Sequence, residues 1–246
     1  MPELPILIAA LMLIFGTAIV NGVTGFGYNI LAIPLLALLL EPEAAITAVI
    51  VHNVALNGIV LFDARKSVRP GRIWLLTLAG AVATPFGALI LRAVDPGPLR
   101  VFIGAMVTLT GIAMLTGFRK AIRNESVASG VVGGASGLLS GSIGAAGPPV
   151  ILFFANQGMD PREFRANIVA FFNVMTYIAI VSFISTGVMT VDRATLGMMT
   201  MPAAVLGVVL GIRLHGRVPA ARFRKLTLAL VLVAGVSAMY AGVRAL

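Results

Sequence analysis

The sequence predicts an all-α integral membrane protein of two inverted five-segment repeats, each beginning with a broken or re-entrant helical hairpin. Three observations predict it. Of 246 residues, 59% are hydrophobic and 11% charged, against roughly a quarter charged in an ordinary soluble domain. The charges fall in clusters that leave eight charge-free stretches, 4–40, 44–62, 73–91, 101–118, 126–159, 166–191, 194–212 and 226–243. Each is 18 residues or longer, enough for the hydrocarbon core to hold a spanning helix. Finally, glycines and prolines recur in the same order at a slowly drifting offset near 120, the mark of an internal duplication.

The first stretch, 4–40, is too long for one span. Its 37 residues would make a helix about 55 Å long, far beyond a core of about 30 Å. The break falls at "NGVTGFG" (21–27), and the leg from Tyr28 to Leu40 is short for an upright crossing. Spans at 44–62, 73–91 and 101–118 complete the first repeat, residues 1–117. A linker, 118–125, leads to the second repeat, 126–246. There the long stretch 126–159 breaks at "SGSIGAAGPP" (140–149), and Pro148 and Pro149 are expected to stop the first leg and begin the second. Glycine costs about 1 kcal/mol and proline about 3 in a helix interior, so neither motif continues as a helix. Gly22 matches Gly141 and Gly25 matches Gly144 at 119; Asn53 matches Asn173 and Gly87 matches Gly207 at 120. "GVVGG" (130–134) reads as a helix-packing patch.

Charge sets the orientation. The loops 63–72, 118–125 and 213–225 carry 4, 3 and 5 basic residues, and Lys and Arg accumulate on the cytoplasmic side. Counting spans back from them places both termini outside, inverts the second repeat and puts 14 of 18 basic residues inside. The net charge of +9 is thus topological and does not point to nucleic acid. No basic region precedes the first apolar run, so no cleaved signal peptide is expected. With no cysteine there are no disulfides or thiolate sites, and no metal or other cofactor is indicated.

Inverted repeats with discontinuous helices are a recurring plan of secondary transporters. A helix interrupted within the bilayer leaves N–H and C=O groups that protein, water or ligand must satisfy, and a half-helix N-terminus suits an anion. The candidate substrate-binding residues are Asn21, Gly22, Thr24, Gly25 and Gly27 at the first break and Ser140, Ser142, Gly144 and Gly147 at the second. His52, Asn53 and Asn173 on the following spans complete the set, with Asn57, Thr176, Tyr177 and Asn167 nearby. His52 is the one intramembrane group of a type whose ordinary pKa is near neutral; it serves an anion or a coupling proton, or bonds a backbone carbonyl. Arg165, Arg92 and Arg100 read either as anion-attracting or as ordinary flanking charges. "GASG" (134–137) matches a serine-protease motif by letters, but such a nucleophile needs a histidine base, and only His52 and His215 exist. A passive anion channel built on the same helix dipoles stays open as an alternative.

The stretches "GVTGFGYNILAIPLLALLLEPEAAITA" and "GLLSGSIGAAGPPVILFFANQGMDPREFRAN" resemble the TauE/SafE family of membrane permeases, the sulfite-exporter superfamily, across essentially the whole chain. The resemblance implies a non-enzymatic transporter of the bacterial inner membrane. It would carry a small anion such as sulfite, sulfoacetate or another organosulfonate, commonly outward. The partners expected are that anion and the lipid bilayer, with a homo-oligomer left open. The first break departs from the family's glycine-dense pattern by placing Phe26, Tyr28 and Asn29 among the glycines, which bears on pocket size.

Overall fold

The computed structural model describes residues 3–24, 27–116, 124–214 and 220–245, and the side chains of all of these except 24, 114, 116 and 220–227. Gly25, His215 and residues 118–123 and 215–219 of the basic loops lie outside the described residues. Among the described residues there is no strand. The order is α1 (Leu4–Thr24), α2 (Tyr28–Leu36), α3 (Pro42–Ala64), a 3-10 turn (Arg65–Ser67), α4 (Pro70–Ala93), α5 (Pro96–Thr116), α6 (Glu125–Ile143), α7 (Gly147–Asn156), α8 (Pro161–Thr186), α9 (Val191–Leu214) and α10 (Ala220–Val243). Four helices open on proline, which loses nothing at a first position whose N–H has no helical partner. Asn124 and Asp160 cap α6 and α8, accepting from the Val127 and Arg162 amides at 3.1 and 2.9 Å.

Seven of the described helices are long and apolar enough to cross a membrane: α1, α3, α4, α5, α6, α8 and α9. The two long charge-free stretches each fold into one such helix and one short leg. The legs, α2 and α7, have 9 and 10 residues. At 1.5 Å per residue they reach about 15 Å, half of the roughly 30 Å core. They are therefore broken legs and not spans.

The helices form two compact units, residues 1–52, 94–116 and 190–246 in one and 53–93 and 117–189 in the other. In the first, α1 packs along α9 and α5 along α10, and α2 lies against α1, α5 and α10. A Cβ on Gly22 would collide with the Val208 carbonyl oxygen and stand 2.8 Å from the Gly211 Cα. One on Gly104 would stand 2.5 Å from the Gly235 oxygen. In the second, α4 packs on α6 and α8, and α7 lies against α6 and α8. There a Cβ on Gly141 would collide with the Thr84 oxygen, one on Gly137 with the Gly80 oxygen and one on Gly133 with the Leu76 oxygen. Small residues let these backbones touch, the usual means of packing where lipid and side chain are equally apolar. One reading from sequence changes here. Within "GVVGG" only Gly133 is pressed against a neighbour, since nothing lies within 4 Å of a Cβ on Gly130 or Gly134. Gly87 is pressed against Gly141, and Gly211 against Gly22.

Ion pairs add to each unit. In the first, Arg193 at the start of α9 pairs with Glu43 and lies 3.5 Å from Glu41. In the second, Arg72 at the start of α4 lies 3.3 Å from Glu163, and Arg165 3.1 Å from Asp63. Glu43 and Glu163 are 120 positions apart, and Arg72 and Arg193 are 121 apart.

Candidate functional site

At the first break α1 continues through Asn21 and Gly22 to Thr24. Asn21 is buried and Gly22 is held against α9; Gly25 and the Thr24 side chain lie outside the described residues. Gly27 has φ 103° with nothing within 4 Å of a Cβ. Its backbone conformation, and not crowding, calls for glycine there. Helix α2 starts at the next residue, and the Leu31 amide donates to the Gly27 oxygen at 3.2 Å. At the other end of α2, Arg100 of α5 donates to the oxygens of Ala37 and Leu40 at 3.0 and 3.3 Å, placing a cation on the negative end of the helix. Arg100 is thus a cap for the short leg.

At the second break every residue from Leu139 to Pro148 is buried, the condition under which irregular backbone survives at membrane depth. Gly144 stops α6. It has φ 67°, and the Ala145 and Gly144 amides donate back to the oxygens of Leu139 and Ser140 at 3.2 and 3.1 Å, a left-handed glycine cap. This corrects the expectation that Pro148 and Pro149 end the first leg; they fall in the opening turn of α7, which starts at Gly147. Neither proline carries an N–H. Of the first three residues of α7 only Gly147 has an amide N–H. Ser140 and Ser142 are buried, and the Ser142 hydroxyl donates to the Leu138 oxygen at 2.7 Å. The Ser136 hydroxyl is buried with no hydrogen-bond partner among the described residues, as is that of Thr47.

His52 on α3 is fully buried. Its Nε2 lies 3.0 Å from the Gly197 oxygen and 2.9 Å from the Thr200 hydroxyl on α9; its Nδ1 lies 2.6 Å from the Tyr28 hydroxyl. A carbonyl only accepts, so Nε2 carries the hydrogen in the neutral ring and Nδ1 accepts from Tyr28. The Thr200 hydroxyl donates onward to Leu196 at 2.8 Å. Of the two sequence readings of His52, the structure has the carbonyl-bonded one, and adds Tyr28, the first residue of α2, as its partner. Sequence alone missed Tyr28 and Thr200 in this role. The residue types signal hydrogen bonding, but the partners on α9 lie 145 and 148 positions away.

The other polar residues divide. Asn53 is buried and Asn173 half-buried. Asn57 donates to the Thr176 hydroxyl at 3.2 Å, and Thr176 to the Phe172 oxygen at 2.8 Å. Asn167 accepts from the Arg69 amide at 2.8 Å, tying α8 to the entry of α4. Tyr177 is 51% exposed and faces away from its unit. Arg165 is engaged by Asp63.

Residues 9–238 match the family model described as sulfite exporter TauE/SafE. The chain belongs to the TauE/SafE family. It is also 26% identical over 236 residues, 91% of this chain and 90% of the relative's, to a protein of Cupriavidus necator (strain H16) named "Probable sulfite/organosulfonate exporter TauE". No solved structure matches the chain. The TauE/SafE match spans both breaks, the His52 network and all seven membrane-length helices in whole or large part. It makes the chain a multi-pass membrane protein of a transport family.

Proposed function

We propose that this TauE/SafE protein is a secondary carrier that exports a small sulfur-containing or organic anion, such as sulfite, sulfoacetate or another sulfonate, by alternating access. The observation that carries the reading is α2. It is a nine-residue helix that opens directly after the left-handed Gly27 inside an apolar protein, and the positive end of a helix favours negative charge. Family membership supplies the substrate class. The anion is met by the backbone of Gly25, Gly27, Gly144 and Gly147 and by Asn21, Thr24, Ser140, Ser142, Asn53 and Asn173. Within that set Pro148 and Pro149 supply no amide donor at the second break. His52 is a positioning residue acting through Tyr28, and Gly22 serves packing. No step of this cycle makes or breaks a covalent bond in the substrate, so the protein is a carrier and not an enzyme.

The inverted duplication belongs to the same proposal, with the repeats as 1–117 and 126–246, both termini outside and the membrane the bacterial inner membrane. The two ion pairs support it. Glu43 joins Arg193 and Glu163 joins Arg72, matching positions in which each half supplies one partner.

A thermal-shift screen of purified protein against sulfite, sulfoacetate, other sulfonates, taurine, sulfate and carboxylates tests substrate binding. A bound ligand at a hundred times its Kd stabilises by about 2.7 kcal/mol. The reading predicts a higher midpoint with sulfite or a sulfonate than with chloride at equal ionic strength, and loss of that gain in the combined Asn53→Ala, Ser142→Ala, Asn173→Ala variant. No shift with any anion of the panel contradicts it.

A further inference from the structure

The junction between α3 and α4 is organised beyond what a loop between two spans requires. Phe62 is 70% and Trp74 60% exposed, and between them stand Asp63, Arg65, Lys66, Arg69 and Arg72. The Arg65 guanidinium sits 3.8 Å above the centre of the Phe62 ring and donates to the Phe62 carbonyl oxygen at 2.9 Å, so a cation and an apolar ring are presented as one unit. The Arg69 amide is fastened to Asn167 at 2.8 Å, which holds the turn against α8.

The charges are sorted. Asp63, the segment's one carboxylate, is taken by Arg165, and Arg72 by Glu163. Arg65, Lys66 and Arg69 are exposed, and among the described residues no carboxylate lies within salt-bridge distance of them. Three unneutralised cations thus stand at the ends of two membrane-length helices, flanked by two aromatic rings of the kind that settle at headgroup depth.

We propose that Phe62–Trp74 is a binding surface for the headgroup of an anionic phospholipid, with the lipid phosphate held by Arg65, Lys66 and Arg69 and its glycerol and upper acyl region against Phe62 and Trp74. Charge complementarity selects the occupant: cations beside the bilayer attract anionic lipid at the cost of little ordering, because the turn is already fixed. The surface is independent of the transported anion.

Trp74 is the chain's single tryptophan and reports the site directly. In nanodiscs of phosphatidylcholine doped with brominated phosphatidylglycerol or, at the same mole fraction, brominated phosphatidylcholine, the anionic lipid should quench Trp74 several-fold more strongly. The excess should shrink as salt rises and disappear in the combined Arg65→Gln, Lys66→Gln, Arg69→Gln variant, whose substitutions are all exposed. Equal quenching by the two lipids in the unsubstituted protein overturns the proposal, as does an excess that survives in the variant. Inorganic phosphate added at lipid concentration should leave the excess intact; its removal would show that the cations serve free anions, and would also overturn the lipid assignment.

Discussion

His52 donates one hydrogen and accepts one, and both capacities are used inside its own unit. Removing the Tyr28 hydroxyl leaves Nδ1 buried without a donor, and an unsatisfied buried group costs about 1–3 kcal/mol. Tyr28→Phe is therefore expected to lower the thermal midpoint in detergent, and His52→Ala to lower it further by removing the acceptor of the Tyr28 hydroxyl and leaving a cavity beside it. Differential scanning fluorimetry reads both; an unchanged midpoint in Tyr28→Phe would show that the bond contributes nothing. At this scale the sequence was legible in residue type alone. A lone histidine in an apolar span announces a hydrogen bond, but its partners are set by how α2 and α9 approach α3. Arg100 shows the same limit, because its carbonyl targets lie 60 and 63 positions away.

Glycines that look alike in the sequence do different work on the helices. A methyl group on Gly22 or Gly141 meets backbone that cannot rotate away, whereas Gly130 and Gly134 face open space. Overpacking costs about 1–3 kcal/mol, and replacing an unhindered helical glycine by alanine gains about 0.5–1. Gly22→Ala and Gly141→Ala should each destabilise the folded protein while Gly130→Ala and Gly134→Ala leave it equal or more stable, as read by unfolding in a graded denaturing detergent. Four equal midpoints would contradict the packing described. The breaks themselves were legible, since no stretch of 34 or 37 apolar residues spans a bilayer once. Which residue ends each leg was not. Gly144 stops α6 by adopting a left-handed backbone with two return hydrogen bonds, and the sequence "GAAGPP" offers glycine and proline stops side by side.

For the whole molecule, composition and charge clustering disclosed the membrane class and nearly every long helix. The fold class did not depend on any single residue. The ion pairs Glu43–Arg193 and Glu163–Arg72 escaped sequence comparison because common charges at loop edges carry no signal until they meet. The proposed orientation is testable on a clean background, since the chain has no cysteine. A single cysteine at Lys66 should react with an impermeant maleimide only from the cytoplasmic side, and one at Asp95 only from outside; the reverse pattern would invert the topology. The central claim, that the chain is an alternating carrier of a sulfur-containing anion, is tested most directly by counterflow in proteoliposomes. Vesicles preloaded with unlabelled sulfite or sulfoacetate should take up the labelled anion faster than empty ones, by trans-stimulation that an open channel does not show. Uptake equal to that of protein-free vesicles, or uptake indifferent to the preload, would contradict the account.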